Sequence, residues 1–500
     1  MSHFSWLVDG SIVGLYLVVT MAAGLMVRKY VGKVEHFLAA GREMNLFLGI
    51  ASLAATEFGI VTCMYTAQAG YEYGFSGATP GILQALAMFV IGLTGFCIKP
   101  LRDSGVMTIP ELFEARFGKF VRWLSGVVIV LGGLLNMGLF LRIGGEFLVL
   151  VSGMDERYLV LSMTLLLLMV LTYTILGGML SVLGTDFLQF IVMSIGLLAV
   201  TYLILGNVGW RRIVDTVEQM HGAGGFNPFV HPKLGFEYVL AQALVQIAAT
   251  LTWQTTIARL LAAKDTWTGR KIYIGTSFFF VCRFLIPGIW GIAALAMLTP
   301  LQQAELSSHS ATAALHAMPV YLSTLVPIGL MGLLLAAMLA ADMSTDSSYM
   351  ITWAAVIYND ILGPFRKKAD SDSRGLLINR LIVALIGVFL FFYGLFYKLE
   401  GALWDYLTTT GTVYLSSMSV LLIACCYWKR ANNWGATAAI LVGAAFPVGY
   451  LILEKTVGGG SVTLHDVYGL TQDRVKIAAF LLSGSAMVFC SMLKSFLHKT

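Results

Sequence analysis

The chain has 500 residues, 58% of them hydrophobic and only 12% charged, with a formal net charge of +5. A soluble domain carries about twice that share of charge, and a membrane-crossing helix needs roughly 20 apolar residues, so the composition suits roughly a dozen crossings and little soluble mass. It excludes a cytosolic enzyme, a nucleic-acid-binding protein and a disordered regulator, and the long unbroken apolar runs disfavour an outer-membrane barrel, whose strands alternate over about ten residues.

Thirteen helical spans are predicted, at 8–28, 45–70, 75–98, 121–151, 158–176, 180–206, 236–257, 272–298, 320–361, 377–398, 402–427, 434–453 and 474–494. The start, Met1 to Gly10, lacks the basic stretch of a cleaved signal peptide, and the apolar run after it is too long for one. The second span is interrupted by Ala54-Ala55-Thr56-Glu57-Phe58-Gly59, a charge and a glycine at mid-depth. Gly177-Gly178 predicts a tight turn between the fifth and sixth spans, and Thr185, Asp186 and Gln189 begin the next helix. The seventh span carries Thr252-Trp253-Gln254-Thr255-Thr256. The ninth is too long for one crossing, so it starts as an external helix or tilts strongly.

The interruptions fall at the first helix of two five-helix sets. That pattern points to a transporter of inverted repeats with a site at the membrane midplane. The resulting division is a leading helix and inward loop (1–44), a first repeat (45–206), an extracytoplasmic loop (207–235), a second repeat (236–427) and two trailing helices (428–500). A second external loop is expected at 454–473. With the N-terminus outside, inward stretches hold 22 of the 32 Lys and Arg residues, Arg259 among them, and outward stretches hold 8. This bias predicts an external N-terminus and a cytoplasmic C-terminus, with the chain in the plasma membrane. The six cysteines sit in apolar runs without metal-ligand spacing and read as small core packers.

A charge at bilayer depth costs roughly 2.5–3.5 kcal/mol on insertion scales, so each needs a partner or a purpose. The candidates are Glu57, Asp186, Asp342, Asp346, Arg283 and the pair Arg142/Glu146. Ser344, Ser347 and Ser348 share one helix face. Their hydroxyls beside a carboxylate suit a small hard cation; the alternative is that they hold helices together by interhelical hydrogen bonds. Asp186 reads either as a ligand or as a helix cap. Arg142 and Glu146, four apart, fit an ion pair. Arg283 either snorkels or meets a carboxylate. Trp253 and Trp404 read as packing residues or as faces of a substrate site.

Four blocks resemble the solute–sodium symporter family, and the resemblance spans roughly residues 8–450. They are Ser52-Leu53-Ala54-Ala55-Thr56-Glu57-Phe58-Gly59; Lys99-Pro100-Leu101-Arg102 running on to Thr108-Ile109-Pro110-Glu111 and Gly118; the Gly177-Gly178 to Gln189 block; and Ala341-x-Met343-Ser344-Thr345 continuing to Asn359-Asp360-Ile361. The resemblance implies an all-α membrane protein with a five-plus-five inverted repeat of the leucine-transporter type. It implies Na+ as the coupling ion and no organic cofactor. The main sodium site would take carbonyls of Ala55, Phe58 and Ala341 and hydroxyls of Ser344 and Thr345. A second sodium site, present in some members, would fall at Asp186, Ser344, Ser347 and Ser348. Here the aspartate that often follows Met-Ser-Thr-Ala stands one residue early, as Asp346, and Asp342 occupies a usually apolar position.

Substrate positions carried over in the same way are Glu57, Thr62, Gln84, Trp253, Gln254 and Trp404. Trp253-Gln254 and Leu403-Trp404 resemble the choline-transporter branch, whose tryptophan faces suit a quaternary ammonium. Glu57 stands where that branch has another tryptophan. It would offer a carboxylate to an amine-bearing substrate, pair with a cation or stay protonated. The expected activity is sodium-driven symport of a small polar solute by alternating access. Proton coupling is the rival within that class. A transporter-like membrane sensor and a membrane enzyme are the rivals outside it.

Overall fold

The computed structural model describes residues 4–27, 33–39, 42–299, 313–366, 371–397, 399, 401–457 and 469–497. Among these the chain is helical, with no strand and one isolated bridge between Met44 and Ala263. Most of the expected loop 454–473 lies outside the described residues, as do Arg28, Lys29, Lys367, Lys368, Lys398 and Lys499 of the charge asymmetry.

Helix α1 (Asp9–Val27) leads, and a short α2 (Val34–Ala39) follows. The expected second span is two helices, α3 (Leu46–Thr56) and α4 (Ile60–Tyr73). The Asn45 side chain caps α3 by accepting the Leu48 N–H at 2.9 Å. Glu57, Phe58 and Gly59 stand outside both helices, and Gly59 is extended at φ −112°, ψ 177°. A helix that stops here leaves its last carbonyls without helical partners. Next come α5 (Thr79–Thr94), α6 (Ile98–Asp103) and α7 (Ile109–Phe117). The expected fourth span bends at Gly138–Leu139 into α8 (Lys119–Met137) and α9 (Phe140–Ser152).

The fifth and sixth spans form one hydrogen-bonded stretch, α10 (Leu159–Val208), which turns at Gly178 with φ +55°. A side chain there would be strained, and its Cβ would lie 2.4 Å from the Phe37 ring. In the expected loop 207–235, α11 (Trp210–His221) is an amphipathic surface helix that buries Ile213 and Val217. The seventh span is broken as expected: α12 (Gly235–Thr252) and α13 (Gln254–Ala262) are separated by Trp253 in extended conformation, φ −65°, ψ 117°. The backbone of Met44, before α3, pairs with Ala262 and Lys264 at the end of α13, each at 3.1 Å, so the two broken helices are tied at one end.

Helix α14 (Thr266–Met297) crosses α4 closely: a Cβ at Gly70 would meet the Gly288 carbonyl at 2.1 Å. Small residues let two backbones approach inside lipid. The overlong ninth span is a separate helix, α15 (Ala313–Leu325), followed by α16 (Leu330–Val356). Asp9 of α1 accepts the N–H groups of Gly329 and Gly332, both at 2.7 Å, and so satisfies orphan donors at the start of α16. Helix α16 is buried along nearly its whole length and packs on α10, α1 and α3. The chain continues through α17 (Asp372–Phe396), α18 (Leu403–Tyr427), α19 (Asn433–Val457) and α20 (Gln472–Leu497).

Nine helical stretches among the described residues are long and apolar enough to cross a bilayer. The number falls below the thirteen spans expected because the apolar part of α1 is only Asp9–Gly24, the seventh span is broken at Trp253, and the stretches Ile60–Thr94 and Glu156–Val208 each run through two expected spans.

Candidate functional site

The break between α3 and α4 faces the middle of α16. Thr345 Oγ1 lies 3.0 Å from the Thr56 carbonyl and 2.9 Å from the Ala341 carbonyl. A Cβ added at Gly59 would stand 2.9 Å from the same hydroxyl. Ala55, Phe58, Ala341, Ser344 and Thr345 are all buried around this junction. The recorded contact reaches the break at Thr56, between Ala55 and Phe58. Carbonyl and hydroxyl oxygens with no formal charge, in a dry setting, suit an ion that sheds its water for protein oxygens. A hydroxyl that donates elsewhere keeps its lone pairs for a cation.

The second set has a different character. Asp186 is fully buried, which excludes the reading as a surface cap. It accepts the Ser344 hydroxyl at 2.6 Å and the Ser52 hydroxyl at 2.5 Å. Ser347 turns back to the Ser344 carbonyl at 3.2 Å. Ser348 is held by Arg259, whose Nη2 donates to it at 2.5 Å, to Thr56 Oγ1 at 2.6 Å and to Asp186 Oδ2 at 3.4 Å. Arg259 Nε donates to Ser52 Oγ at 3.2 Å. A guanidinium therefore sits among the residues expected to hold a second sodium ion.

Arg259 is a correction to the sequence reading, which placed it in an inward loop; it is completely buried on α13. A signal for it existed. It follows the break at Trp253 by six residues, roughly 9 Å of helix, too short to leave the membrane from mid-depth.

A cavity of about 70 Å3 lies beside the α3–α4 junction and is lined by Thr56, Gly59 and Thr345 among others. Five of the six expected substrate residues line it: Glu57, Thr62, Gln84, Trp253 and Trp404. Gln254 is buried outside the lining, and its amide donates to the Thr252 carbonyl at 3.3 Å. The sequence reading missed Asn136, Phe140, Tyr349 and Tyr65 as lining residues, because asparagines and aromatics inside spans carry no distinguishing pattern.

Glu57 is already engaged. One oxygen accepts Thr255 at 2.8 Å and Thr256 at 3.2 Å, and the other accepts Arg283 Nη1 at 3.1 Å. Arg283 also donates to the Tyr65 hydroxyl at 2.5 Å. Of the readings open for Glu57 and Arg283, the structure shows them paired. Arg142 and Glu146 form the expected ion pair at 2.8 Å, extended by His316 at 3.3 Å. Tyr65 and Trp404, with ring centroids 4.7 Å apart, form a wall of this cavity and also of a second one that holds Glu72, Lys233 and Asp405. The two rings are the partition between the spaces.

Two broken helices, a buried polar junction between one of them and a central helix, and a cavity at that junction define a secondary transporter of the leucine-transporter-type fold. The comparisons agree. The family model described as "Sodium:solute symporter family" matches residues 37–443. The sheep (Ovis aries) sodium/glucose cotransporter 1 is 27% identical over 490 residues, covering 91% of this chain and 73% of that protein. An osmoregulated proline transporter of Bacillus subtilis (strain 168) is 24% identical, covering 96% and 94%. A solved Na+-coupled sialic acid symporter, substrate-bound and outward-open, superposes with a TM-score of 0.78 at 18% identity over 97% of both chains. The transporter MhsT in complex with L-phenylalanine superposes at 0.52 with 12% identity, over 90% of this chain and 98% of that one. The chain belongs to the sodium:solute symporter family, and its activity is sodium-coupled symport of a solute.

Proposed function

We propose that the chain carries a small organic solute across the plasma membrane, N-terminus outside and C-terminus cytoplasmic, with one sodium ion per cycle. The ion is held by the carbonyls of Ala55, Phe58 and Ala341 and by the hydroxyls of Ser344 and Thr345. The observation that carries this reading is the meeting of the opened α3–α4 helix with Thr345. An ion there joins helices from the two proposed repeats, 45–206 and 236–427, and completes the wall of the solute cavity. Binding of ion and solute are thereby coupled, since each orders a surface the other uses. Tyr65 and Trp404 close the cavity on the outer side, and the Arg259–Asp186 cluster closes the route to the cytoplasm.

A single ion follows from Arg259. Its fixed positive charge already compensates Asp186, and a second sodium at Ser344, Ser347 and Ser348 would face it. The same pairing removes Asp186 as a free proton carrier. One charge across ~100 mV supplies ~2.3 kcal/mol, and a tenfold gradient adds ~1.4 kcal/mol. Together these support an accumulation of about 500-fold at full coupling. The chain acts as a carrier with no catalytic step and no organic cofactor. The test is solute uptake into proteoliposomes at fixed pH, with external sodium replaced by potassium or lithium. Uptake that stops in potassium and rises without cooperativity in sodium supports the reading. Uptake driven by a pH gradient alone overturns it in favour of proton coupling.

A further inference from the structure

Three consecutive residues, Leu403, Trp404 and Asp405, open α18, and they are tied in two directions. The Leu403 N–H donates to Gln68 Oε1 on α4 at 3.2 Å. Trp404 lies against Tyr65 of α4, with ring centroids 4.7 Å apart. Asp405 is held from elsewhere: its Oδ1 is 3.7 Å from Nζ of Lys476 on α20, and the same ammonium is 3.3 Å from Asp473 Oδ1. The Lys476 side chain is fully buried, while Asp405 and Asp473 both line the second cavity. One turn further along α18, the Thr409 hydroxyl donates to Gln472 Oε1 of α20 at 3.2 Å. Helix α20 also pairs with α12 through Arg474 and Glu237 at 2.8 Å, but both of those side chains are about half exposed.

A lysine is almost never fully buried unless it is paired. Asp473, on its own helix, supplies one partner, so the contact with Asp405 is left to hold one helix to another. An ion pair with a buried partner is screened less than an exposed one. A solute entering from the second cavity has to part Tyr65 from Trp404, which means separating α4 from the start of α18. On the α4 side the ties are one neutral hydrogen bond and one ring contact, and on the α20 side they include an ion pair. The weaker seam is the one between the rings. We propose that Lys476 is a positioning residue for the outer partition: through Asp405 it pins the start of α18 to a trailing helix outside both repeats, and it keeps Trp404 where Tyr65 can meet it. The partition then opens by α4 leaving a stationary Trp404. This rests on the reading of Tyr65 and Trp404 as the outer closure, and it adds the helix that holds one half of that closure still.

The test uses Gly411→Cys, a cavity-lining position where a Cβ would meet nothing nearer than 3.5 Å. Cells expressing the protein are treated from outside with a membrane-impermeant methanethiosulfonate at fixed sodium, and the protein without Gly411→Cys gives the background rate. Trp404→Ala removes half of the partition, should raise the labelling rate, and sets the scale. Lys476→Met should raise it about 5-fold, the effect of losing one partly exposed ion pair. Asp405→Asn should do the same, and the double variant should do no more than either, since both remove one interaction. Lys476→Arg should restore the native rate, and Glu237→Gln, which removes only the exposed pair on α20, should leave it within about 2-fold. If Lys476→Met does not reach the membrane, Asp405→Asn carries the test, because Lys476 then keeps Asp473 as its partner. The proposal is overturned if Lys476→Met and Asp405→Asn label at the native rate while Trp404→Ala labels faster, if their effects add, or if Glu237→Gln matches them. A Trp404→Ala variant that labels no faster would instead sink the outer closure itself, and the role of Lys476 with it.

Discussion

Helix α16 presents two oxygen clusters within one turn, and Ser344 belongs to both. Around Thr345 the groups are carbonyls and hydroxyls, and among the described residues no charged side chain is bonded to its hydroxyl. Around Asp186 the hydroxyls of Ser52, Ser344 and Ser348 are similar in kind, but Arg259 is inserted among them. Both clusters read as cation sites from residue type alone. The difference is that the second already contains its cation, covalently attached to α13. A neutral oxygen cluster must recruit an ion from solution and can respond to a gradient. A cluster that carries its own counter-charge is satisfied in the absence of any gradient, and it joins α3, α10, α13 and α16 in one place.

The largest test of this contrast is Arg259→Ala. It leaves Asp186 buried without a cation, which should cost about 3–5 kcal/mol, read as a fall in the thermal midpoint. The double variant Arg259→Ala/Asp186→Asn should recover most of that loss, because neither charge is then stranded. The single variant also offers Asp186 to a solution ion. Sodium should raise its midpoint more steeply than it raises that of the wild type. If sodium has no extra effect on Arg259→Ala, the cluster is not a cation site of any kind.

The neutral cluster is tested by Thr345→Val, which removes a hydroxyl at nearly constant volume. A hydrogen bond or ligand contact to a charged group is worth about 1.5–3 kcal/mol, so the apparent sodium affinity should fall by about 10-fold or more. Half-saturation of uptake by sodium measures it. An unchanged value would mean that Thr345 only joins helices, and the two clusters would then differ less than their charges suggest. A smaller effect in the same direction is expected from Gly59→Ala, whose methyl would press on Thr345 Oγ1 from 2.9 Å.

Much of this was legible in the sequence where one residue's chemistry decides the outcome. Glu57 and Gly59 inside an apolar run announced the first break, and Trp253 with its threonines announced the second. Gly177-Gly178 announced the turn before Asp186. The hydroxyls of α16 could be assigned to one face by helical spacing. Pairing across helices was not legible. Glu57 could be read as free, paired or protonated until Thr255, Thr256 and Arg283 were seen around it. Arg259 was hidden by the charge asymmetry, which assigns basic residues to loops by their place in the chain and has no term for a helix that begins at mid-membrane. Its loss from the inward group leaves that asymmetry in the same direction.

The smallest expected effect concerns Gln254, the one expected substrate residue that the cavity does not include. It follows the break at Trp253, and its amide turns back to the Thr252 carbonyl at 3.3 Å, a long contact. A neutral hydrogen bond of this kind contributes about 0.5–1.5 kcal/mol, and here it serves the local backbone. Gln254→Ala should therefore lower stability slightly and leave solute affinity within about 2-fold, since no lining atom is removed. Trp253→Ala, one residue earlier, takes away a cavity wall and the hydrogen bond to the Tyr349 hydroxyl at 3.1 Å, and should weaken solute binding far more. Equal losses from the two variants would mean that Gln254 turns into the cavity during transport, and that the break at Trp253 is itself a moving part.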